Sequence, residues 1–105
     1  MSLKVSVGNN YFLTPNAKND LQNIWNYTLE VWGEGKADEY IVEFFNRFEW
    51  LSEQPMLGKH RPEIKEGCYS YPQAEHIIFY ELRNQYIAII GIPHQSMDID
   101  QFFDG

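Results

Sequence analysis

Two short β-rich runs joined by a polar triplet are the feature that most constrains the fold of this 105-residue chain. Residues 76–82 and 86–92 are rich in Ile and aromatic residues, and the polar residues 83–85 separate them. This pattern predicts an antiparallel hairpin with a short loop. The polar residues 94–96 follow the second run directly. The hairpin is therefore expected to bring hydrogen-bonding groups to one end of a sheet, which favours a recognition protein over an enzyme.

Two amphipathic helices are predicted before the hairpin. Thr14 offers an N-cap and Pro15 suits the first helical position. Apolar residues then recur every three or four positions until Gly33 and Gly35, which are expected to end the helix, and a second helix should end before Pro55. The predicted core-facing stripes comprise Ala17, Leu21, Ile24, Trp25, Thr28, Val31 and Trp32, followed by Ala37, Tyr40, Ile41, Phe44, Phe45, Phe48 and Leu51.

The order of elements predicts the fold class. A short strand is expected at residues 11–13, a strand at 68–71 after the loop 54–67, a turn at 72–74, and a short helical turn capped by Asp98. Such an order is typical of an α+β fold of the type β-α-α-β-β-β. A helical hairpin should pack on a small, mainly antiparallel sheet, with a short helical tail at the C-terminus.

Length and composition are consistent with a single domain over residues 1–105, with residues 1–9 as an N-terminal extension. No apolar run approaches the length of a membrane span, and no signal sequence is recognisable, so a cytoplasmic location is expected. Cys68 is the only cysteine, which excludes an intramolecular disulfide and a thiolate zinc site. His76 and His94 lack a third ligand at suitable spacing. Neither a metal nor a cofactor is therefore predicted.

Charge is distributed unevenly. The formal net charge of −7 argues against broad adhesion to nucleic acid, which needs several basic groups on one face. Lys59, Arg61 and Lys65 nevertheless fall within one seven-residue loop, together with His60. Two interpretations remain open: a solvated loop, or a basic patch on an acidic body that suits an acidic partner.

Several phrases of the sequence carry a family resemblance. They are Glu63-Ile-Lys-Glu-Gly67, Tyr71-Pro72, His76-Ile-Ile-Phe-Tyr80 and His94-Gln-Ser-Met-Asp98. In this order and spacing the chain resembles the ParE branch of the RelE/ParE toxins, the toxin components of type II toxin-antitoxin (plasmid stabilisation) modules. The resemblance extends from about Tyr11 to Phe103, nearly the whole chain.

The resemblance implies a toxin that binds and inhibits DNA gyrase and is neutralised by a ParD-like antitoxin. It also implies that operator DNA is contacted only indirectly, through the antitoxin. A membrane partner is not expected, and both a homodimer and a hetero-oligomer remain open. The chain departs from the family pattern at Tyr69 and Gly91, where relatives often carry arginine.

Two alternatives accompany this reading. One is a RelE-like ribosome-dependent mRNA endoribonuclease, which would require Lys59, Arg61, Lys65, Arg83, His76, His94 and Tyr80 to converge as acids, bases and phosphate-binding cations. The other is a degenerate toxin retained as a binding or autoregulatory module, favoured by the two missing arginines. Neither is preferred over a non-enzymatic toxin.

The sequence therefore predicts partner-binding residues but no catalytic residue. The predicted contacts are Lys59, Arg61, Lys65, Tyr69, Tyr80, Arg83, His94 and Gln95. Tyr80 alternates with apolar neighbours along its strand, so its ring could lie in the core or line a groove.

Overall fold

The computed structural model describes residues 10–104, in which two long helices pack on one face of a five-stranded sheet. The predicted extension, residues 1–9, lies outside the described residues. The elements are, in chain order, β1 (Tyr11–Leu13), α1 (Pro15–Trp32), α2 (Glu34–Glu53), a 3-10 helix (Pro55–Leu57), β2 (Lys59–His60), β3 (Cys68–Gln73), β4 (His76–Arg83), β5 (Tyr86–Gly91) and α3 (Ile99–Asp104). The predicted α+β class and helical hairpin are confirmed.

The start of α1 forms as the sequence predicts, and it is tied to the sheet. The Thr14 hydroxyl accepts a hydrogen bond from the Ala17 N–H at 3.2 Å, and Pro15 occupies the first turn. The same hydroxyl donates to the Ile89 carbonyl at 2.9 Å. The Thr14 side chain therefore satisfies a free N–H group at the start of α1 and also joins this helix to β5.

A single glycine separates the two helices. Gly33 adopts a φ of +94°, a conformation that favours glycine, and its N–H donates to the Leu29 carbonyl at 2.9 Å. The helix α2 begins at the next residue, so Gly35 lies inside its first turn and the prediction that Gly35 ends α1 is wrong. The indole Nε1 of Trp25 donates to Asp38 at 3.1 Å, which joins α1 to α2.

The strand order is β1-β5-β4-β3-β2. Three neighbouring pairs are antiparallel, as predicted, while β1 runs parallel to β5. The two-residue β2 was not predicted and pairs with Tyr69 and Ser70 of β3. Beyond these residues β3 is an edge strand, where proline is tolerated.

Both turns of the sheet differ from prediction by one or two residues. The strand β3 continues through Pro72 and Gln73, so the turn predicted at 72–74 lies at Ala74 and Glu75 instead, with Ala74 at a φ of 55°. The hairpin loop contains only Asn84 and Gln85. A two-residue loop of this kind keeps the strands in register and lengthens β4 to Arg83.

The core lies between the helical hairpin and the sheet. Phe44 and Phe48 of α2 are fully buried, as are Ile78 and Tyr80 of β4. Not every residue of the predicted stripes is covered: Val31, Trp32 and Phe45 are exposed, the tryptophan by 67%. The stripes are therefore partly surface, and Trp32 lines the groove described below.

The short helix α3 covers part of the opposite face of the sheet. Asp98 accepts a hydrogen bond from the Asp100 N–H at 3.0 Å, as expected for a cap. The ring of Phe103 packs edge-on against Phe79 of β4, with centroids 5.0 Å apart. Phe102 lies so close to Gly91 that an added Cβ would be 2.7 Å from its ring.

Candidate functional site

The predicted site residues separate into two groups at opposite ends of the β4–β5 hairpin. Arg83 lies at the loop end, and it shares a carboxylate partner with Lys65. His94 and Gln95 lie at the other end, beside the first residue of β4. Since β4 has eight residues, the two ends are roughly 25 Å apart. One compact site cannot include both groups.

Tyr69 and Tyr80 belong to neither group, because both rings are in the core. Tyr80 is fully buried, and its hydroxyl donates to the Pro55 carbonyl at 2.7 Å. Burial raises the pKa of this phenol to about 12. Tyr69 stacks on Tyr80 with centroids 5.9 Å apart. The prediction that Tyr69 and Tyr80 contact a partner directly does not fit this placement; they support the sheet instead.

On the sheet face opposite the helices, the loop cations meet acids of the same chain. We call Arg61, Glu63, Lys65, Glu81 and Arg83 the outer-face charge cluster. The buried Glu81 carboxylate binds Lys65 Nζ at 2.8 Å and Arg83 Nη2 at 2.7 Å. Arg61 binds Glu63 at 2.7 Å. Arg61, Lys65 and Arg83 are thus all paired with acidic residues of the same chain.

Burial and pairing act in opposite directions on Glu81. Burial alone raises the pKa of a carboxyl group, but hydrogen bonds from Lys65 and Arg83 outweigh it and hold the pKa of Glu81 below its usual value. Arg61 is also held by packing: its side chain is only 18% exposed and its guanidinium lies 5.2 Å from the Phe79 ring. Lys59 is exposed on β2 and lies apart from these ion pairs. The predicted basic patch is therefore largely neutralised.

The other end of the hairpin opens into a groove of about 740 Å³ between the helices and the ends of β4 and β5. We call it the acidic groove. Its walls and base are formed by Asp20, Asn23, Ile24, Tyr27, Thr28, Trp32, Lys36, Glu39, Tyr40, Glu43, Ala74, Glu75, His76, Ile92, Pro93, His94, Met97 and Phe102. A volume of this size accommodates several side chains of a partner.

Two histidines form the base of the acidic groove. The rings of His76 and His94 are 5.3 Å apart, and the hydroxyl of Tyr40 lies 3.5 Å from His76 Nδ1. Burial, with a smaller contribution from His94, lowers the pKa of His76 although Glu75 opposes the shift. His94 Nδ1 lies 2.8 Å from the Ser96 hydroxyl and accepts a hydrogen bond from the Ser96 N–H at 3.1 Å, so it orders the loop after β5.

The rim of the groove is both apolar and negatively charged. Tyr27, Trp32 and Met97 are exposed by 66%, 67% and 46%, which is unusual for large apolar residues that line one groove. Four carboxylates line the groove against one lysine. Large apolar side chains and carboxylates therefore line the same groove.

The groups that an endoribonuclease would require do not converge within residues 10–104. Arg61, Lys65 and Arg83 lie in the outer-face charge cluster and Lys59 on β2, whereas His76 and His94 lie at the far end of the hairpin from Arg83. Tyr80 is buried between them with its hydroxyl already bonded. In the same residues, no group of three or more His, Cys, Asp and Glu is arranged to hold a metal ion.

Sequence reasoning missed most of the acidic groove. Tyr27, Glu39, Glu43 and Met97 were not identified as candidates, and Trp32 was assigned to the core. One signal was available: Tyr27 lies outside the predicted apolar stripe of α1, although large rings seldom face solvent without a reason. The residues that complete the groove come from opposite ends of the chain, which no local pattern joins.

The family follows from similarity over most of the chain. Residues 11–99 match the family described as "ParE toxin of type II toxin-antitoxin system, parDE". The chain belongs to the ParE toxin family. It is 32% identical over 88 residues to Toxin ParE1 of Caulobacter vibrioides, a match that covers 84% of this chain and 91% of that protein. It is 29% identical over 92 residues to Toxin ParE1 of Mycobacterium tuberculosis, covering 87% and 94%.

A solved structure shares the ParE fold. The chain matches a structure titled "Chromosomal ParDE TA system from P. aeruginosa" with a TM-score of 0.70 and 19% identity, covering 85% of this chain and 98% of that one. Two main helices on a mixed sheet with a short C-terminal helix are therefore an architecture found in ParDE systems. No helix in residues 10–104 has the length and apolar character needed to cross a membrane.

The two departures from the ParE pattern have different structural settings. Tyr69 faces the helices and is buried, whereas Gly91 faces α3 on the opposite side of the sheet. A longer side chain at position 91 would collide with Phe102 unless α3 moved. The absence of an arginine there is thus consistent with the packing of α3 against β5.

Proposed function

We propose that this ParE-family protein inhibits DNA gyrase by surface contact and is neutralised by a ParD-like antitoxin that occupies the acidic groove. The observation that supports the antitoxin contact is the exposed apolar rim, where Tyr27 and Trp32 are 66% and 67% exposed. Isolated small domains rarely expose such patches without a partner. The gyrase assignment rests on the family. Inhibition by surface contact requires no catalytic residues in this protein.

Four of the predicted contact residues are assigned to the gyrase contact, which involves two separate parts of the protein surface. Arg61 and Arg83 lie in the outer-face charge cluster, while His94 and Gln95 lie at the opposite end of β4. Arg83 retains 40% exposure despite its ion pair with Glu81. We propose that these side chains contribute to target contact through hydrogen bonds at an interface rim, where single residues contribute modestly.

Co-purification tests the antitoxin partner directly. The full chain, expressed together with the product of the adjacent reading frame, should co-elute with that product as one complex. The variant Trp32→Ala should weaken the complex, whereas Met56→Ala, at a similarly exposed apolar site outside the groove, serves as the matched control. Failure of the adjacent product to bind the unaltered chain would contradict the antitoxin part of the proposal.

Two enzyme assays test the target. Purified chain added to gyrase should inhibit supercoiling, and the adjacent product should relieve the inhibition. A ribosome-programmed mRNA cleavage assay should show no cleavage. Messenger cleavage in the ribosomal A site that is lost in His94→Ala would overturn gyrase as the target and establish the endoribonuclease alternative. Growth arrest without either effect would also contradict the proposed target.

A further inference from the structure

We infer that the acidic groove binds a positively charged segment, so that the antitoxin segment it accepts carries lysine or arginine beside its apolar anchors. This inference rests on the proposed function and adds the charge of the partner segment. It is opposite in sign to one of the two interpretations of the sequence, in which the basic loop residues bind an acidic partner.

The charge of the groove is the first observation. Asp20, Glu39, Glu43 and Glu75 line it, and Lys36 is its single lysine. Within residues 10–104, neither Glu39 nor Glu43 forms an ion pair, and both are exposed. Unpaired carboxylates around an apolar surface attract cations and repel acidic segments. The groove therefore selects a partner segment by charge.

The loop cations are the second observation. Lys65 and Arg61 already bind Glu81 and Glu63, at 2.8 and 2.7 Å. An acidic partner segment would have to displace these internal acids, and the Glu81 carboxylate would then be left buried without its cations. The outer-face charge cluster is consequently a poor acceptor for an acidic tail, while the groove has free charges to offer.

The groove presents side chains to a partner along its whole length. The groove-lining residues of α1 extend from Asp20 to Trp32, which corresponds to about 18 Å along the axis. At the base, the strand ends are already paired, since the Ile77 N–H donates to the Pro93 carbonyl and the Gln95 N–H donates to the Glu75 carbonyl. An incoming segment therefore meets side chains and not an open strand edge, so the charges of the groove decide which segment fits.

A charge reversal with a matched control tests the inference. The variant Glu39→Lys/Glu43→Lys reverses two groove carboxylates four residues apart on α2. Glu49→Lys/Glu53→Lys makes the same change in net charge, at the same spacing, on the same helix but outside the groove. All four residues are exposed, so both variants should keep the melting temperature of the unaltered chain.

Binding is measured with the purified product of the adjacent reading frame as the probe. The groove variant should raise the Kd at least about tenfold, mainly by slowing association, while the control variant should change it less than about twofold. Changing the lysines and arginines of the probe's toxin-binding segment to glutamate should weaken binding to the unaltered chain. The same altered probe should recover affinity for Glu39→Lys/Glu43→Lys.

The outcomes separate this inference from the proposed function. Equal Kd values for the two charge variants, together with weaker binding by Trp32→Ala, would show a groove that accepts an uncharged segment and would overturn the inference alone. Tighter binding by the groove variant would indicate an acidic segment and would also overturn it. Absence of any complex with the unaltered chain would contradict the proposed antitoxin itself. Should the groove variant fail to fold, Glu43→Gln provides the same comparison with a smaller expected change.

Discussion

The acidic groove and the outer-face charge cluster lie at opposite ends of β4 and differ in how their charges are satisfied. In the cluster, Glu81 holds Lys65 and Arg83 at 2.8 and 2.7 Å. In the groove, Glu39 and Glu43 stand beside exposed aromatic rings. Paired charges fix a structure, whereas unpaired charges near apolar surface are available to a partner. A cluster of like-charged residues in sequence therefore says little until its partners are known.

The largest expected effect is on stability, and it distinguishes a core residue from a residue of the groove wall. Phe44 is fully buried and its ring lies 5.9 Å from that of His76, so Phe44→Ala should reduce the free energy of unfolding by about 3 to 5 kcal/mol. Trp32→Ala, at an exposed wall position, should cost about 0.5 kcal/mol or less. Chemical denaturation of the two variants measures this difference. Equal losses would mean that Trp32 packs in the core and that the groove is closed.

The next effect concerns the outer-face charge cluster. Glu81→Gln keeps the size of the side chain but removes the charge that holds two cations, so it should lower the free energy of unfolding by about 1 to 2 kcal/mol. Binding of the adjacent reading-frame product should stay unchanged. Glu63→Gln is the matched control, because its carboxylate is exposed and should cost much less. Weaker binding by Glu81→Gln without lost stability would assign the cluster to an interface.

Acid should affect the two regions in different pH ranges. The lowered pKa of His76 means that the unfolded chain takes up a proton first as the pH falls below about 6.5, so stability decreases there. The lowered pKa of Glu81 contributes stability that is lost only as the pH falls below about 4.5. Melting temperatures across this range should show two steps. His76→Asn should remove the upper step and Glu81→Gln the lower one; a single unchanged step in both variants would contradict the assignment.

The smallest effect is expected at Lys59, the exposed cation of the predicted basic patch. If the groove binds a basic segment, Lys59→Glu should alter the association rate with the adjacent product by less than about twofold. Stopped-flow measurements at low and moderate salt would detect a larger change. A markedly slower association with weaker salt dependence would support the basic patch as the antitoxin contact.

The helices illustrate how far sequence reasoning reached. Thr14 and Pro15 mark the start of α1 because capping is a local interaction between neighbouring residues. The apolar spacing of α2 places Phe44 and Phe48 in the core correctly. The apolar spacing of α1 could not show that Trp32 is exposed. Periodicity gives the face of the helix on which a side chain lies, but not whether another element packs against that face.

The candidate site was harder to predict, because its members depend on contacts between distant residues. The sequence grouped Lys59, Arg61 and Lys65 because they lie close together in the chain. Whether such a cation is available to a partner depends on acids elsewhere: Lys65 pairs with Glu81, sixteen residues further along the chain. His94 was identified from the polar cluster after β5, and it does lie in the groove. Its neighbours on α1 and α2 were not recognised.

The sequence by itself determined the elements of this protein: two amphipathic helices, the β4–β5 hairpin and the resemblance to ParE toxins. These depend on spacing and short-range chemistry, which a single chain displays directly. Only the tertiary structure decided that β1 pairs in parallel with β5, that Tyr80 is in the core, and that Lys65 pairs with Glu81. Each of these outcomes joins residues far apart in the chain, where burial and charge pairing, not local propensity, set the energy.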